Sequence, residues 1–120
     1  APASAYSDTQ TVRVARLDSL FQPYASAFSN IVLKIDAQGF ERQILDGAAA
    51  ALPRITGIVL EVSFAELYVG ELLFPEMYAR LEQAGFRLCY LAPGLQDPRN
   101  GQLLQADAAF FRIGRASPPP

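Results

Sequence analysis

Ile31-Val-Leu-Lys-Ile35, closed by Asp36-Ala-Gln-Gly39, is the stretch whose reading decides the fold. The first five residues form a continuous β-favouring run, and such runs belong to strands covered on both faces, as in parallel sheets. Asp36 to Gly39 ends the run with turn chemistry. From Phe40 to Leu52 the apolar residues Phe40, Ile44, Leu45, Ala48 and Leu52 recur at helical spacing, and Pro53 stops the pattern. Gly47 inside that stripe costs about 1 kcal/mol relative to alanine, which points to a close backbone approach there. Gly57-Ile-Val-Leu-Glu-Val62 is a second strand of the same buried type. Strand, helix, strand makes a βαβ unit, whose crossover is almost always right-handed.

The pattern extends outward in both directions. Upstream, Val12-Arg-Val14 alternates apolar and charged residues, which predicts a short strand with one covered face. Asp18 is placed to cap a helical turn through Leu20 and Phe21 before Pro23 interrupts. Downstream, Phe74-Pro75-Glu76 opens a helix with proline at a suitable first position, Met77, Leu81 and Ala84 line one face, and Gly85 ends it. Phe86 to Leu91 is a third strand and Ala108 to Ile113 a fourth. The turn-rich Pro93–Gly101 connection is too short for a parallel crossover, so these two strands are expected to pair antiparallel. The expected organisation is an N-terminal loop over residues 1–11, one α/β unit over 12–113 and a proline-rich tail over 114–120 that adds nothing to a core.

Composition narrows the functions open to such a chain. Its 120 residues suit one hydrophobic core, and 51% are apolar against 18% charged, which excludes a disordered segment. The net charge is −2, with scattered basic residues, so no footprint for nucleic acid or an anionic membrane exists. Cys89 stands alone, which removes disulfides and thiolate metal sites; on its pattern it belongs in the core. Histidine is absent altogether, and with it the commonest general base and transition-metal ligand. Chemistry must rest on carboxylates, lysine, tyrosine, hydroxyls or a bound cofactor. No run is long enough to span a bilayer and the start is not a charged-then-apolar signal, so the expected location is cytoplasmic.

The Ile31–Ile35 run is out of keeping with a self-sufficient domain. It is apolar on both faces, which suits the middle of a sheet, yet only one βαβ partner for it exists here. Native proteins normally cover an edge of that composition. The expectation is that further sheet lies upstream in a parent protein, and the expected partners through this edge are that upstream half and a second copy of the chain.

Several stretches, in order and spacing, carry a family resemblance. They are Arg16-Leu-Asp18-Ser-Leu20, Leu33-Lys-Ile-Asp36-Ala-Gln-Gly39-Phe-Glu41, Leu45-Asp-Gly-Ala48, Leu60-Glu-Val-Ser63 with Leu67-Tyr68, Ala84-Gly-Phe86, and Gln105-Ala-Asp107-Ala-Ala-Phe110. Together, from about Val12 to Arg112, they resemble the C-terminal half of an FkbM-family S-adenosylmethionine-dependent methyltransferase. Gln38 departs mildly from the glutamate often found at that place in the family. The resemblance implies a partial Rossmann-like class I methyltransferase sheet, strands four to seven with the last inserted antiparallel between five and six, flanked by helices. The glycine-rich turn and the ribose-holding acidic residue that such a fold uses for its cofactor are not found in this sequence. In open α/β sheets the ligand lies beyond the carboxyl ends of the strands at the switch point, which here falls beside the Ile31–Ile35 strand.

On that resemblance the candidate catalytic residues are Asp36, Lys34 and Glu61, with Asp36, Gln38 and Gly39 toward S-adenosylmethionine and Glu41 and Tyr68 toward a small-molecule or glycan acceptor. Asp36 ends the first strand, where a carboxylate can orient an acceptor hydroxyl or take its proton; the structural alternative is a cap on the following helix. Alternation puts Lys34 on the face of Asp36, within reach of an ion pair with Glu61 on the neighbouring strand. Glu41 is favourable in a helix's first turn whatever else it does, Gly39 is suited to a positive φ, and Tyr68 equally fits a partly buried structural tyrosine. Asp107 is placed to fix the turn before the last strand. No metal is expected, although Asp36, Glu41 and Glu61 offer oxygens suited to a hard cation. The expected function is the acceptor-side half of an O-methyltransferase acting on a sugar, glycolipid or polyketide-type hydroxyl, inactive as an isolated chain. The alternatives are a non-catalytic α/β interaction module and a nucleotide-binding protein sharing the fold by analogy.

Overall fold

The computed structural model describes residues 8–114, so residues 1–7 of the expected 1–11 loop and residues 115–120 of the expected 114–120 tail lie outside the described residues. In chain order the elements are α1 Leu17–Leu20, α2 Gln22–Ala27, β1 Val32–Ile35, α3 Glu41–Asp46, a 3-10 turn Leu52–Arg54, β2 Gly57–Ser63, α4 Phe74–Gln83, β3 Arg87–Pro93 and β4 Gln105–Phe111. The four strands form one sheet in the order β1-β2-β4-β3. β1 and β2 run parallel, and β4 runs antiparallel between β2 and β3. The antiparallel pairing expected of the last two strands is therefore present. Among the described residues no helix is long and apolar enough to cross a membrane.

Alternation divides the sheet into two unlike faces. Ile35, Ile58, Leu60, Val62, Ala106, Ala108 and Phe110 share one face and are buried with Leu45 of α3, Met77 and Leu81 of α4, and Phe86. Pairing in register puts Lys34, Val59, Glu61, Asp107, Ala109 and Tyr90 on the other face, where Lys34, Glu61, Asp107 and Tyr90 are exposed. The shortest dimension of the molecule is 19 Å, enough for the sheet and one helical layer. β1 is an edge strand with Val32 half-exposed, in keeping with its single βαβ partner.

The first departure from the sequence reading is Val12-Arg-Val14, which forms no strand; Val12 and Val14 are 64% and 88% exposed. Among the described residues no strand lies alongside to accept its backbone hydrogen bonds, and an unpaired extended segment gains nothing from its alternation. Asp18 does not cap α1 but lies within it, and its carboxylate accepts the amides of Ala50 and Ala51 at 3.0 and 2.8 Å. The Asp18 amide in turn donates to the Gly47 carbonyl at 2.9 Å.

Those bonds explain why α3 stops at Asp46 instead of continuing to Leu52. Amides that would extend the helix are taken by Asp18, and Pro53 removes another donor. Only part of the expected stripe is covered: Leu45 and Ala48 are buried, Ile44 and Leu52 are partly buried, and Phe40 is 53% exposed. The expected close approach at Gly47 exists: a Cβ added there would lie 3.5 Å from the Arg16 Cβ, in ordinary van der Waals contact.

Cys89 is exposed, not core. Leu88 pairs with Phe110 on the covered face, so alternation puts Cys89 outward, and the β3–β4 register slip between Leu88 and Tyr90 leaves Cys89 without a partner on β4. β4 also begins at Gln105, earlier than the apolar run implies, so Asp107 is a mid-strand residue and not a turn residue.

Candidate functional site

The parallel β1–β2 pair brings two carboxyl ends to the same rim of the sheet. Ile35 pairs with Leu60, so the next step along both strands sets Asp36 beside Glu61. Across the antiparallel junction Glu61 is directly opposite Asp107. Asp36, Glu61 and Asp107 thus make a carboxylate row over three adjacent strands. With Lys34, Val59 and Leu60 they line an open cavity of about 380 Å³.

The row has an electrostatic signature. The Glu61 carboxyl is held above its ordinary value, first by loss of hydration and then by the neighbouring carboxylates of Asp107, Asp36, Glu41 and Glu71. The expected Lys34–Glu61 ion pair is not formed among the described residues. Register explains this: Lys34 is level with Val59, two residues short of Glu61.

Beyond the strand ends, two loops meet. The turn after β1 carries Gln38 and Gly39 at φ +45° and +98°, and the glycine suits that region as expected. Gly39 has a second reason to be glycine: a Cβ there would fall within van der Waals overlap of the Tyr68 Cβ and ring. The Glu41 carboxylate, buried at the start of α3, accepts the Gly39 amide through both oxygens at 3.3 and 3.0 Å. In the opposing loop, residues 64–72, the Glu71 carboxylate accepts the Leu67 and Tyr68 amides at 2.7 and 3.2 Å through Oε1, and the buried Ser63 hydroxyl donates to its Oε2 at 3.1 Å. Each loop is therefore braced by its own glutamate, and the two touch at Gly39 and Tyr68.

The sequence-derived residues fall into three groups. Asp36, Glu61 and Lys34 share the open face; Gln38, Gly39 and Tyr68 form the loop contact above it; Glu41 spends its carboxylate on the turn and bears on the site through Gly39. Sequence reasoning missed Glu71, a loop glutamate without periodic context. It also misplaced Asp107, although the small-polar alternation Gln105-Ala-Asp107-Ala carries the strand signal. Arg112 was overlooked as well. Its guanidinium donates to the carbonyls of Ile55, Ala84 and Leu52 at 2.8–2.9 Å and stacks 4.1 Å from the Phe86 ring centre, a structural clamp away from the site.

An apolar groove of similar volume lies between Val14–Leu20 and α3, lined by Leu17, Leu20, Phe40 and Ile44 with Arg16 as its charged member. It offers packing surface and no carboxylate, whereas the open face of the sheet carries three. Among the described residues no group of three or more His, Cys, Asp or Glu side chains is arranged to hold a metal ion. The donor set instead suits an organic cation, since three carboxylates face open space with one lysine beside them.

No curated protein and no solved structure matches the chain. The family model described as the methyltransferase FkbM domain does match, over residues 2–88, a span from the N-terminal segment through β1, α3, β2 and α4 to the start of β3. β4 with Asp107 lies beyond the matched span, whereas Asp36, Gly39, Glu41, Glu61, Tyr68 and Glu71 lie inside it. The chain belongs to the FkbM methyltransferase domain family.

Proposed function

We propose that the chain is the acceptor-side half of an S-adenosylmethionine-dependent O-methyltransferase acting on a sugar, glycolipid or polyketide-type hydroxyl, and that it is inactive by itself. The observation that carries this reading is Asp36 at the carboxyl end of β1, level with Glu61, on a sheet face that no helix covers among the described residues. Family membership supplies methyl transfer as the reaction class. The strand order β1-β2-β4-β3, with β4 reversed, supports a reading as strands four to seven of a class I methyltransferase sheet, whose remaining strands would abut β1.

The carboxylates suit the cofactor in charge, because a sulfonium and an ammonium group are both cationic. S-adenosylmethionine, when bound, supplies an electrophilic methyl group. Asp36, Gln38 and Gly39 are the residues that would hold it on this side. The chain's own contribution is alignment, worth up to roughly 7–11 kcal/mol when a bimolecular step is made effectively unimolecular. Asp36 would orient the acceptor hydroxyl and take the proton it releases, while the methyl group exchanges its bond to sulfur for a bond to the acceptor oxygen and a neutral thioether is left. Glu61 stands beside Asp36 on the neighbouring strand, its carboxyl raised above the ordinary value first by loss of hydration and then by the carboxylates around it. Tyr68 offers a ring and a hydroxyl on the acceptor side of the turn.

A second reading, a non-catalytic interaction module, is favoured by the uncovered sheet face and the free β1 edge among the described residues. Titration calorimetry separates the two. S-adenosylmethionine should bind a longer protein carrying the upstream half and not this chain alone. Asp36→Ala in that protein should keep binding and lose methyl transfer. Absence of binding to either protein would remove the enzyme reading and leave the module.

A further inference from the structure

Glu71 is the organising group of the 64–72 loop, and nothing in the methyltransferase reading assigns it a role. Its two oxygens take three donors: the Leu67 and Tyr68 amides on one and the Ser63 hydroxyl on the other. Ser63 is the last residue of β2 and is buried, so the loop is tied to the end of the same strand that carries Glu61. The Glu71 amide closes the circuit by donating to the Tyr68 carbonyl at 3.2 Å. Leu72 is then buried, which fixes the loop's exit.

The consequence of this bracing appears on the other loop. With Tyr68 held in place, its Cβ and ring occupy the space that any side chain at residue 39 would need. Gly39 itself is held by Glu41, and Asp36 lies three residues before it on the same short turn. Two carboxylate-braced loops thus interlock at one contact. Displacement of Tyr68 opens room for the turn to relax out of its positive-φ conformation, a region that non-glycine residues such as Gln38 occupy at a cost.

We infer that Glu71 is a positioning residue for this site: by fixing Tyr68 against Gly39 it sets the conformation of the Asp36–Gly39 turn that presents the reacting carboxylate. The inference rests on the methyltransferase reading for the meaning of the turn, but the coupling itself involves neither cofactor nor acceptor. It can therefore fail or stand independently of that reading.

The test is amide NMR on the 120-residue chain, comparing wild type with Glu71→Ala, Glu71→Gln, Tyr68→Ala and the double variant Glu71→Ala/Tyr68→Ala. Glu71→Ala should speed exchange of the Leu67 and Tyr68 amides by about tenfold, the equivalent of one hydrogen bond, and should also move the Asp36, Gln38 and Gly39 resonances. Glu71→Gln keeps one acceptor oxygen and should restore most of both effects. Because the coupling passes through Tyr68, Tyr68→Ala should shift Asp36–Gly39 by itself, and adding Glu71→Ala should shift them no further. Changes confined to residues 64–72, with the Asp36–Gly39 resonances at their wild-type positions, would overturn the inference. So would a full additional shift in the double variant. Should Glu71→Ala fail to fold, Ser63→Ala removes one of the three bonds and carries the same pair of outcomes at smaller amplitude.

Discussion

The covered and open faces of this sheet are made from the same four strands, often from adjacent residues, and they obey different rules. Ile58, Leu60 and Val62 point into the helices and are buried, while Val59 and Glu61 between them point outward with no layer above them among the described residues. On the covered face each side chain is specified by its volume. On the open face the specification is charge: a row of three carboxylates that work against one another. The two-residue period of the strand has sorted volume to one face and charge to the other.

The comparison can be broken most directly on the covered side. Phe110 is 1% exposed and packs near the Tyr78 ring, so Phe110→Ala should cost about 3–5 kcal/mol in urea denaturation. A loss below about 1 kcal/mol would mean that the helical layer does not hold the sheet as described. Arg112→Met comes next. It keeps much of the length but leaves three carbonyls without their donor, for a cost of about 2–4 kcal/mol in the same assay.

At the rim, Gly39→Ala should cost about 1–3 kcal/mol, from positive φ and overlap with Tyr68 together. Combining it with Tyr68→Gly should recover the overlap part, and strictly additive losses would contradict the loop contact.

The open face should give the smallest effect, and one of opposite sign. The folded Glu61 carboxyl is raised above its unfolded value, so it binds a proton more readily in the native state. Its favourable contribution is complete below the unfolded value of about 4.5 and is lost as pH rises through the folded value. Glu61→Gln should therefore leave stability at neutral pH unchanged or slightly higher, and should flatten the decline that sets in above that point. A marked loss of stability at pH 7, read by thermal melts across pH 4–8, would show that the carboxylate row helps to hold the fold.

Much of this division is legible in the sequence, and the reasons for the failures are physical. The β1, β2 and α4 boundaries follow from apolar runs and a proline-marked helix start, because those signals act within a few residues. The apolar stripe alone makes α3 too long, because the groups that end it come from Asp18, over thirty residues away in sequence. Cys89 fits a core position by residue type alone, but it follows Leu88 in the strand, and a covered Leu88 turns its neighbour to the open face. In the site, Asp36 and Glu61 stand out by their position at or in apolar strands. Glu71 does not, since its importance lies in three donors that only the folded loop assembles.

The reversed placement of β4 has a consequence for how the chain comes into being. Synthesis delivers β2 and β3 first, yet neither touches the other in the finished sheet; β4 lies between them. Until Gln105–Phe111 leaves the ribosome, β2 has an unpaired edge on that side and β3 has no sheet to join, so the emerging protein must wait with its ladder half made. A nascent chain interrupted between Pro93 and Gln105 would expose both edges at once, and those edges are the places where a chaperone would be expected to find it.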